Sequence, residues 1–483
     1  MINLETKPKS LGVDSAKDSQ FLAHGRYGTD DMIKIWGAEK TFQYILDSQA
    51  TAVKVMSDLY PDIVPTEDAE EICNKAVIGK IIDPNRIREL EEKTGHDVIA
   101  INTALGEVVS KGREHINKAR TSADSTETAK ALQLKQSLEI IIDSLENLRD
   151  ITIEKATSDE FIQPFMDTTH LYDALPTLAG RPLIFYTEML QSDLNLLAFF
   201  YKNSIYGKWA DATGNHHQAK DLEIDGIELQ EKYCKSFGIK NMIANAQIPG
   251  REFIADIAYG MARTAETIGN LAFYIALGKS DDWGVFIDTN PKKRKGSSAM
   301  PHKDAKGGNP TTEEQTESFT NYMRGVMSCA LSSCKFKYGR DLSGSASDRI
   351  NLEDMFKFGD HVIRRLASTV YYLGLNKERS VERVKRSDFV TAQRIMTSLT
   401  DIRFLENPMS RKEAHDLTGE LATSSYNQNL PFRDVCLQCK EITNRIYEEK
   451  IIELTDPLTY IGQSEEIISL VKKNYYKQKT LSP

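Results

Sequence analysis

The sequence contains no long apolar run, no apolar leader and few cysteines, and each absence excludes a class of protein. A transmembrane helix needs about 18 successive apolar residues, and no such run occurs in the 483 residues. Residues Met1–Asp18 are polar and lack the apolar core of a secretory signal. The six cysteines are scattered along the chain, which predicts free thiols in a reducing compartment. We therefore expect a cytoplasmic protein without a membrane partner.

An excess of positive charge is absent as well. Lysine and arginine number 61 against 70 aspartates and glutamates, which gives a net charge of −9 and a pI near 5.7. Proteins that bind nucleic acid usually present a basic surface, so we expect no nucleic-acid partner. A local cationic pocket for a small anionic ligand remains compatible with this composition.

Proline is missing from three long intervals, between residues 84 and 164, 182 and 249, and 310 and 408. Apolar residues recur in the middle of the chain at the helical period, which predicts five long amphipathic helices. The patterns run through residues 127–150, 183–205, 251–278, 311–337 and 351–374. Alternating β-branched residues are scarce, so strands are expected only as small hairpins.

Five long helices at these intervals predict an all-α protein built around a central bundle. We predict an N-terminal helical domain over residues 1–120, the long-helix bundle over 121–375, and a C-terminal helical domain over 376–483. Apolar stripes of this width often continue across subunits, which predicts a homo-oligomer.

The helical pattern is interrupted at residues 292–310 by a segment with paired serines, several glycines and basic residues on both sides. Glycine and proline interrupt helix interiors and buried strands, so this segment is predicted to be a long loop. Loops of this length inside compact enzymes commonly serve as lids or binding loops. The basic run Lys292–Lys295 fits a solvated loop stem better than the steering of an anionic substrate, and we do not interpret it as an import signal.

Three other breaks carry reactive or hydrogen-bonding side chains: Thr94–Asp97, Arg120–Asp124 and Thr168–Thr177. The second precedes a long helix, where hydroxyls and free backbone N–H groups form a natural anion site. Taken singly, these residues are also compatible with structural histidines and helix caps.

Metal-binding and redox motifs find little support. Cys436 and Cys439 have the spacing of a redox or zinc pair, but no second pair or nearby histidine accompanies them, which favours a structural role. The nine histidines do not cluster with carboxylates at ligand spacing, so no metal and no cofactor are expected.

The loop segment Gly296–Lys303, with the sequence GSSAMPHK, resembles the signature loop of the fumarase/aspartase superfamily. Residues 121–124 (TSAD) and Thr169-His170 resemble the other two signature segments of that superfamily, in the same chain order. The resemblance covers nearly the whole chain. It implies a three-domain, all-α lyase fold, assembled as a homotetramer whose sites are shared between subunits.

Within the superfamily, several segments resemble the adenylosuccinate lyase family. Arg26-Tyr27 is similar to its nucleotide-holding pair, His96-Asp97 to its His-Asp segment, and Gln247 to its substrate-binding glutamine. The stretch 340–349 resembles the segment that contacts the nucleotide, and by position its contacts are Arg340, Ser345 and Arg349. Two arginines and a hydroxyl are chemically suited to a phosphate.

The resemblance implies a β-elimination that releases fumarate from adenylosuccinate, and from the succinyl-carboxamide ribotide of purine synthesis. Ser297 would be the general base and His170 the general acid. Lys303, with the hydroxyls of Thr121 and Ser122, would bind the succinyl carboxylates. His96 would support substrate binding or orient the acid.

Two departures from the family pattern concern the substrate. The run Asp304–Gly308 stands where the family has one residue before Asn309, which is the family's loop asparagine by position. Tyr172 replaces the usual glutamine after the histidine. Both departures favour an alternative: a related lyase that acts on another succinyl or aspartyl substrate of the argininosuccinate, aspartate or malate type.

Overall fold

The structure is a computed structural model that describes residues 6–9, 27–292, 296–335, 337 and 339–479. The described chain is mostly helical, with nineteen α-helices and six short strands. None of its helices is both long and apolar enough to cross a membrane.

The helices in chain order are α1 (Asp30–Trp36), α2 (Ala38–Leu59), α3 (Thr66–Lys75), α4 (Pro84–Thr94), α5 (Asp97–Val108), α6 (Ser122–Ala156), α7 (Gly180–Asn203), α8 (His217–Asp221), α9 (Gly226–Ser236), α10 (Glu252–Lys279), α11 (Thr311–Ser333), α12 (Ser345–Tyr371), α13 (Lys377–Arg386), α14 (Ala392–Leu399), α15 (Arg411–Gln428), α16 (Phe432–Gln438), α17 (Lys440–Thr443), α18 (Glu448–Leu454) and α19 (Ser464–Lys479). The strands are β1 (Pro164–Thr169), β2 (Tyr172–Leu178), β3 (Tyr206–Gly207), β4 (Lys240–Asn241), β5 (Phe286–Asp288) and β6 (Leu373–Leu375).

Five long helices, α6, α7, α10, α11 and α12, pack together and confirm the predicted bundle. Helix α6 is longer than its apolar pattern at both ends. A capping box of Thr121 and Asp124 sets its start at Ser122. Its apolar stripe is fully buried in the largest core cluster, through Leu134, Leu138, Ile141, Leu145 and Leu148.

The strands differ in part from the prediction of small hairpins. Only one described pair, β1 with β2, is a hairpin. Strands β3 and β4 pair in parallel. Strands β5 and β6 pair antiparallel, although helices α11 and α12 separate them in the chain. These short pairings join segments distant in sequence, so local alternation carries no signal for them.

The bundle helices alternate in direction, so its two ends collect different segments. At the Ser122 end, Arg251 just before α10 forms ion pairs with Glu127 of α6 and Asp348 of α12. At the Ala156 end, Lys279 near the finish of α10 donates to Glu313 at the start of α11 over 2.8 Å. The starts of α6, α10 and α12 therefore share one end, and the starts of α7 and α11 share the other.

Two smaller clusters of buried side chains flank the bundle core. One includes residues from Tyr44 to Val109 together with Trp209 and Tyr233. The other lies between Ile395 and Leu454 and contains the buried thiol of Cys436. All six cysteines are free, as predicted. The domain boundaries near residues 120 and 375 stay predictions.

Candidate active site

The start of α6 brings two of the predicted segments together. Ser122 Oγ lies 3.3 Å from His96 Nε2, and His96 Nδ1 lies 3.2 Å from Asp97 Oδ1. Ser122 is half-buried at the first turn of α6. Free N–H groups at that turn favour a negatively charged ligand. This geometry fits the predicted binding of a carboxylate by Thr121 and Ser122.

A buried ion pair between Asp124 and Lys208 holds this helix start in place. The carboxylate of Asp124 accepts the N–H of Thr121 over 2.8 Å and the N–H of Ala210 over 3.0 Å. It also contacts the ammonium group of Lys208, and both side chains of this ion pair are 0% exposed. The position of Thr121 is therefore fixed by buried contacts.

His170 lies at the tip of the β1–β2 hairpin. His170 and Leu171 have φ angles of 53° and 68°, and Thr169 pairs with Tyr172 across the turn. Two successive positive φ values define a tight turn that matches the twist of the strands. The His170 side chain is exposed, and Leu171 and Tyr172 are 72% and 79% exposed. The histidine is thus presented to solvent at a tight turn.

The hairpin is tied to its surroundings close to its tip, through Asp173, which pairs with Thr168. Arg383 Nη2 lies 2.6 Å from Asp173 Oδ1, and Ser387 Oγ donates to Asp173 Oδ2 over 2.6 Å. These bonds dock the hairpin onto the residues around the end of α13.

The segment Gly296–Asn309 folds into a compact loop containing a short 3₁₀ helix, Pro301–Lys306. Ser297 Oγ accepts the backbone N–H groups of Ala299, over 3.3 Å, and Met300, over 3.1 Å. Two such donors stabilise negative charge on the serine oxygen. Lys292 is exposed, while residues 293–295 of the basic run lie outside the described residues.

The inserted residues do not displace Asn309 from the loop. The Asp304 carboxylate accepts the N–H of Gly296, and Gly307 and Gly308 turn the chain back with φ angles of 81° and 89°. As a result, Lys303 Nζ donates to Asn309 Oδ1 over 2.9 Å. The extra residues are taken up in a local turn, and the two predicted binding residues stay adjacent.

The Arg340–Arg349 segment lies at the Ser122 end of the bundle. Arg340 Nη1 is 3.7 Å from Glu127 Oε1 of α6. Ser345 is the first residue of α12, and the exposed Arg349 follows one turn later on the same face. The half-buried Gln247 comes next to Ala246, whose Cβ faces Gly339.

Tyr27 packs against α12, more than three turns beyond Ser345. Its ring packs edge-on against Phe358 and His361, with centroid separations of 5.5 and 5.7 Å. Burial and the charge of Arg365 lower the pKa of His361 to about 4. The predicted partner of Tyr27, Arg26, lies outside the described residues.

The structure does not unite all these residues within one chain. Helix α6 has 35 residues and is therefore about 50 Å long. The base of the hairpin lies at its Ala156 end, because Gly180 abuts the Ala156 carbonyl. A strand of 6 residues reaches back by only about 20 Å. His170 thus lies roughly 30 Å or more from Ser122.

Ser297 is likewise attached to the Ala156 end. Its loop starts after β5, whose Phe286 stacks on Phe165 of β1 with a centroid separation of 6.0 Å, and it finishes at the start of α11. The predicted base and acid therefore belong to one end of the bundle, and Ser122, His96 and Arg340 belong to the other.

Sequence reasoning missed three charged residues that support the Ser122 end: Glu127, Lys208 and Arg251. Their partners are distant in the chain, so spacing alone carries no signal for them.

One group of possible metal ligands occurs among the described residues, away from these segments. Donor atoms of Asp68, Glu114 and His115 lie within 4.8 Å of one another. The sequence-based statement that no histidine meets carboxylates at ligand spacing is therefore wrong for His115. Its Nε2 lies 3.4 Å from Asp68 Oδ2, and this contact is accounted for by an ion pair or hydrogen bond.

Two family models match the chain. A family model described as lyase matches residues 25–325, and one described as adenylosuccinate lyase C-terminus matches residues 388–471. The chain belongs to the fumarase/aspartase superfamily of lyases, and the protein is an enzyme of the lyase type.

Within that superfamily, the chain is similar to adenylosuccinate lyases over most of its length. That of Methanocaldococcus jannaschii is 28% identical over 456 residues, covering 94% of this chain and 96% of the relative. That of Bacillus subtilis is 29% identical over 433 residues, covering 89% and 95%. The fold is similar to the crystal structure of fumarate lyase from Mesorhizobium sp. BNC1, with a TM-score of 0.79 at 18% identity, covering 92% of this chain and 98% of that one.

Proposed function

We propose that the protein cleaves adenylosuccinate to AMP and fumarate, and cleaves the succinyl-carboxamide ribotide of purine synthesis by the same elimination. The observation that carries this proposal is the similarity to adenylosuccinate lyases over 94% of the chain. It is supported by the position of Arg340, Ser345 and Arg349, which present two cations and a hydroxyl at the Ser122 end.

In the proposed reaction, Ser297 Oγ takes a proton from the carbon next to the one that bears the nitrogen. The electrons of that C–H bond form the double bond of fumarate, and the C–N bond breaks toward nitrogen. A serine hydroxyl is a weak base, so its oxygen needs activation. The N–H groups of Ala299 and Met300 supply part of it, since they stabilise the alkoxide.

His170 would donate the proton that the departing nitrogen requires. A histidine is suited to this step because it exchanges protons near neutral pH. Lys303 and Asn309 would bind one carboxylate of the succinyl group, and Thr121 and Ser122 the other. His96, in contact with Ser122, would orient substrate at that end.

The proposal requires association of several copies of the chain. Because His170 and Ser122 belong to opposite ends of α6, one chain does not complete a site by itself. We propose a homotetramer in which different subunits supply the Ser297 loop, the His170 hairpin and the Ser122 end. Its location in the cytoplasm stays a prediction.

The function is tested by the absorbance change on conversion of adenylosuccinate by the purified protein, beside argininosuccinate, aspartate and malate. We expect turnover of adenylosuccinate above the others. Turnover of another substrate without turnover of adenylosuccinate would establish the alternative lyase, which Tyr172 and the insertion Asp304–Gly308 favour.

A further inference from the structure

Five charged side chains form a cluster at the Ser122 end of the bundle, which we name the Glu127 cluster: Glu127, Lys130, Arg251, Arg340 and Asp348. The Glu127 carboxylate lies at its centre. Arg251 Nη1 and Nη2 each lie 3.2 Å from one of its oxygens, and Lys130 Nζ lies 3.3 Å from both. Arg340 Nη1 lies 3.7 Å away.

The cluster is mostly buried, and Arg340 is its most exposed member, ahead of Lys130 at 16%. The side chains of Glu127 and Arg251 are each 4% exposed, whereas that of Arg340 is 24% exposed. Burial opposes the ionisation of Glu127, but the charges of Lys130, Arg251 and Arg340 outweigh it and hold the pKa of Glu127 below its ordinary value. The carboxylate therefore remains charged at neutral pH.

The charges within the cluster do not balance. Three cations face two carboxylates, since Asp348 pairs with Arg251 over 3.4 Å. By formal charge one positive charge is left over, and Arg340 is the most exposed member of the cluster. With the exposed Arg349, the segment offers two positive charges to a dianionic group.

One donor of Arg340 makes no hydrogen bond within the part of the chain that the structure describes. A separation of 3.7 Å from Glu127 is an ion-pair distance and too long for a hydrogen bond. Arg340 Nη1 is buried and has no hydrogen-bond partner among the described residues. A buried donor without a partner is rare in folded proteins and calls for an acceptor. A phosphate oxygen of the substrate, approaching the 24% exposed side chain, would supply an acceptor for the guanidinium.

We propose that Glu127 and Arg251 are positioning residues that hold the Arg340 guanidinium for the substrate's phosphate monoester. Arg340 lies outside any helix or strand, so its backbone does not fix its side chain. Glu127 attracts the guanidinium from below, and Arg251 orients Glu127 through two parallel contacts. This inference rests on the proposed function.

The test compares adenylosuccinate with the same compound lacking its phosphate, in the full-length enzyme. Glu127→Gln removes the charge that attracts Arg340. We expect its KM for adenylosuccinate to rise roughly ten-fold, since a charge-assisted contact to phosphate is weakened. The KM for the phosphate-free substrate and kcat for both should stay within about two-fold of wild type.

A double-mutant cycle identifies the route of the effect. In an Arg340→Gln background, Glu127→Gln should raise the KM for adenylosuccinate no further, because the group that it positions is gone.

Asp150→Asn is the matched control: it alters a buried carboxylate that pairs with Arg149 near the other end of α6. We expect it to leave unchanged the ratio of the KM for adenylosuccinate to the KM for the phosphate-free substrate. If Glu127→Gln does not fold, Glu127→Asp keeps the charge but shortens the reach, and should shift the ratio in the same direction.

Turnover of adenylosuccinate by the wild-type enzyme is measured first, and its absence overturns the proposed function together with this inference. Turnover with an unchanged ratio of KM values in both Glu127 variants overturns this inference alone. An equal loss of kcat on both substrates also overturns it, because it indicates a general structural role.

Discussion

The separation of His170 from Ser122 leads to a quantitative prediction for mixed oligomers. The length of α6, about 50 Å, keeps the two residues at opposite ends of one chain. An active site that uses both must take them from different subunits. His170→Ala and Ser122→Ala should therefore each be inactive alone, yet active when their subunits are mixed.

The expected activity follows from counting subunits. In oligomers assembled at random from equal amounts of the two variants, half of the chains carry an intact His170 and the other half an intact Ser122. A site that draws the two residues independently is intact in about one case in four. The mixture should recover about a quarter of wild-type activity, whereas residues drawn from one chain would give none.

The assay is fumarate release by co-expressed variants, with size-exclusion chromatography to confirm that the oligomer persists. Wild type mixed with the double variant is the matched control. This control mixture should show about a quarter of wild-type activity if the two residues come from different chains, and about half if they come from one chain. An inactive mixture of single variants, with half the activity in the control, would refute the reasoning.

Three further predictions concern single residues. Ser297→Ala should lower kcat roughly 10²- to 10⁴-fold, which is the usual contribution of a general base. Ser298→Ala is the control and should keep most of the activity. Near-normal rates in Ser297→Ala would make the base assignment wrong. Lys208→Met should destabilise the protein by about 3–5 kcal/mol in urea unfolding, because it leaves the buried carboxylate of Asp124 without its partner; a cost near zero would contradict this role. Burial and a neighbouring arginine lower the pKa of His361 from 6.5 to about 4, so the unfolded chain binds more protons between these values. Stability should be full above pH 6.5 and fall by about 3 kcal/mol toward pH 4, and His361→Gln should reduce this loss.

The sequence predicted the long helices because their signal is local. The buried stripe of α6 repeats at the helical period, and the absence of proline lets each helix continue. The signature segments were visible for the same reason, since Gly296–Lys303 and Thr121–Asp124 are each continuous in the chain. The predicted roles of Ser297 and His170 rest on that resemblance and stay predictions.

Other features depended on contacts between distant residues. The short strand pairs β3–β4 and β5–β6 carry no periodic signal, and the prediction of hairpins alone was wrong for them. The place of the Asn309 side chain also depends on the fold, because the turn through Gly307 and Gly308 is what brings it beside Lys303.

The sequence by itself determined the helical bundle and the residue types available for catalysis. Only the tertiary structure decided which of them share an end of the bundle, because helix direction and packing bring together residues more than a hundred positions apart. Glu127, Arg251 and Arg340 meet in this way. No local sequence pattern predicts such a contact, because its stability comes from burial and charge pairing that exist only after the chain has folded.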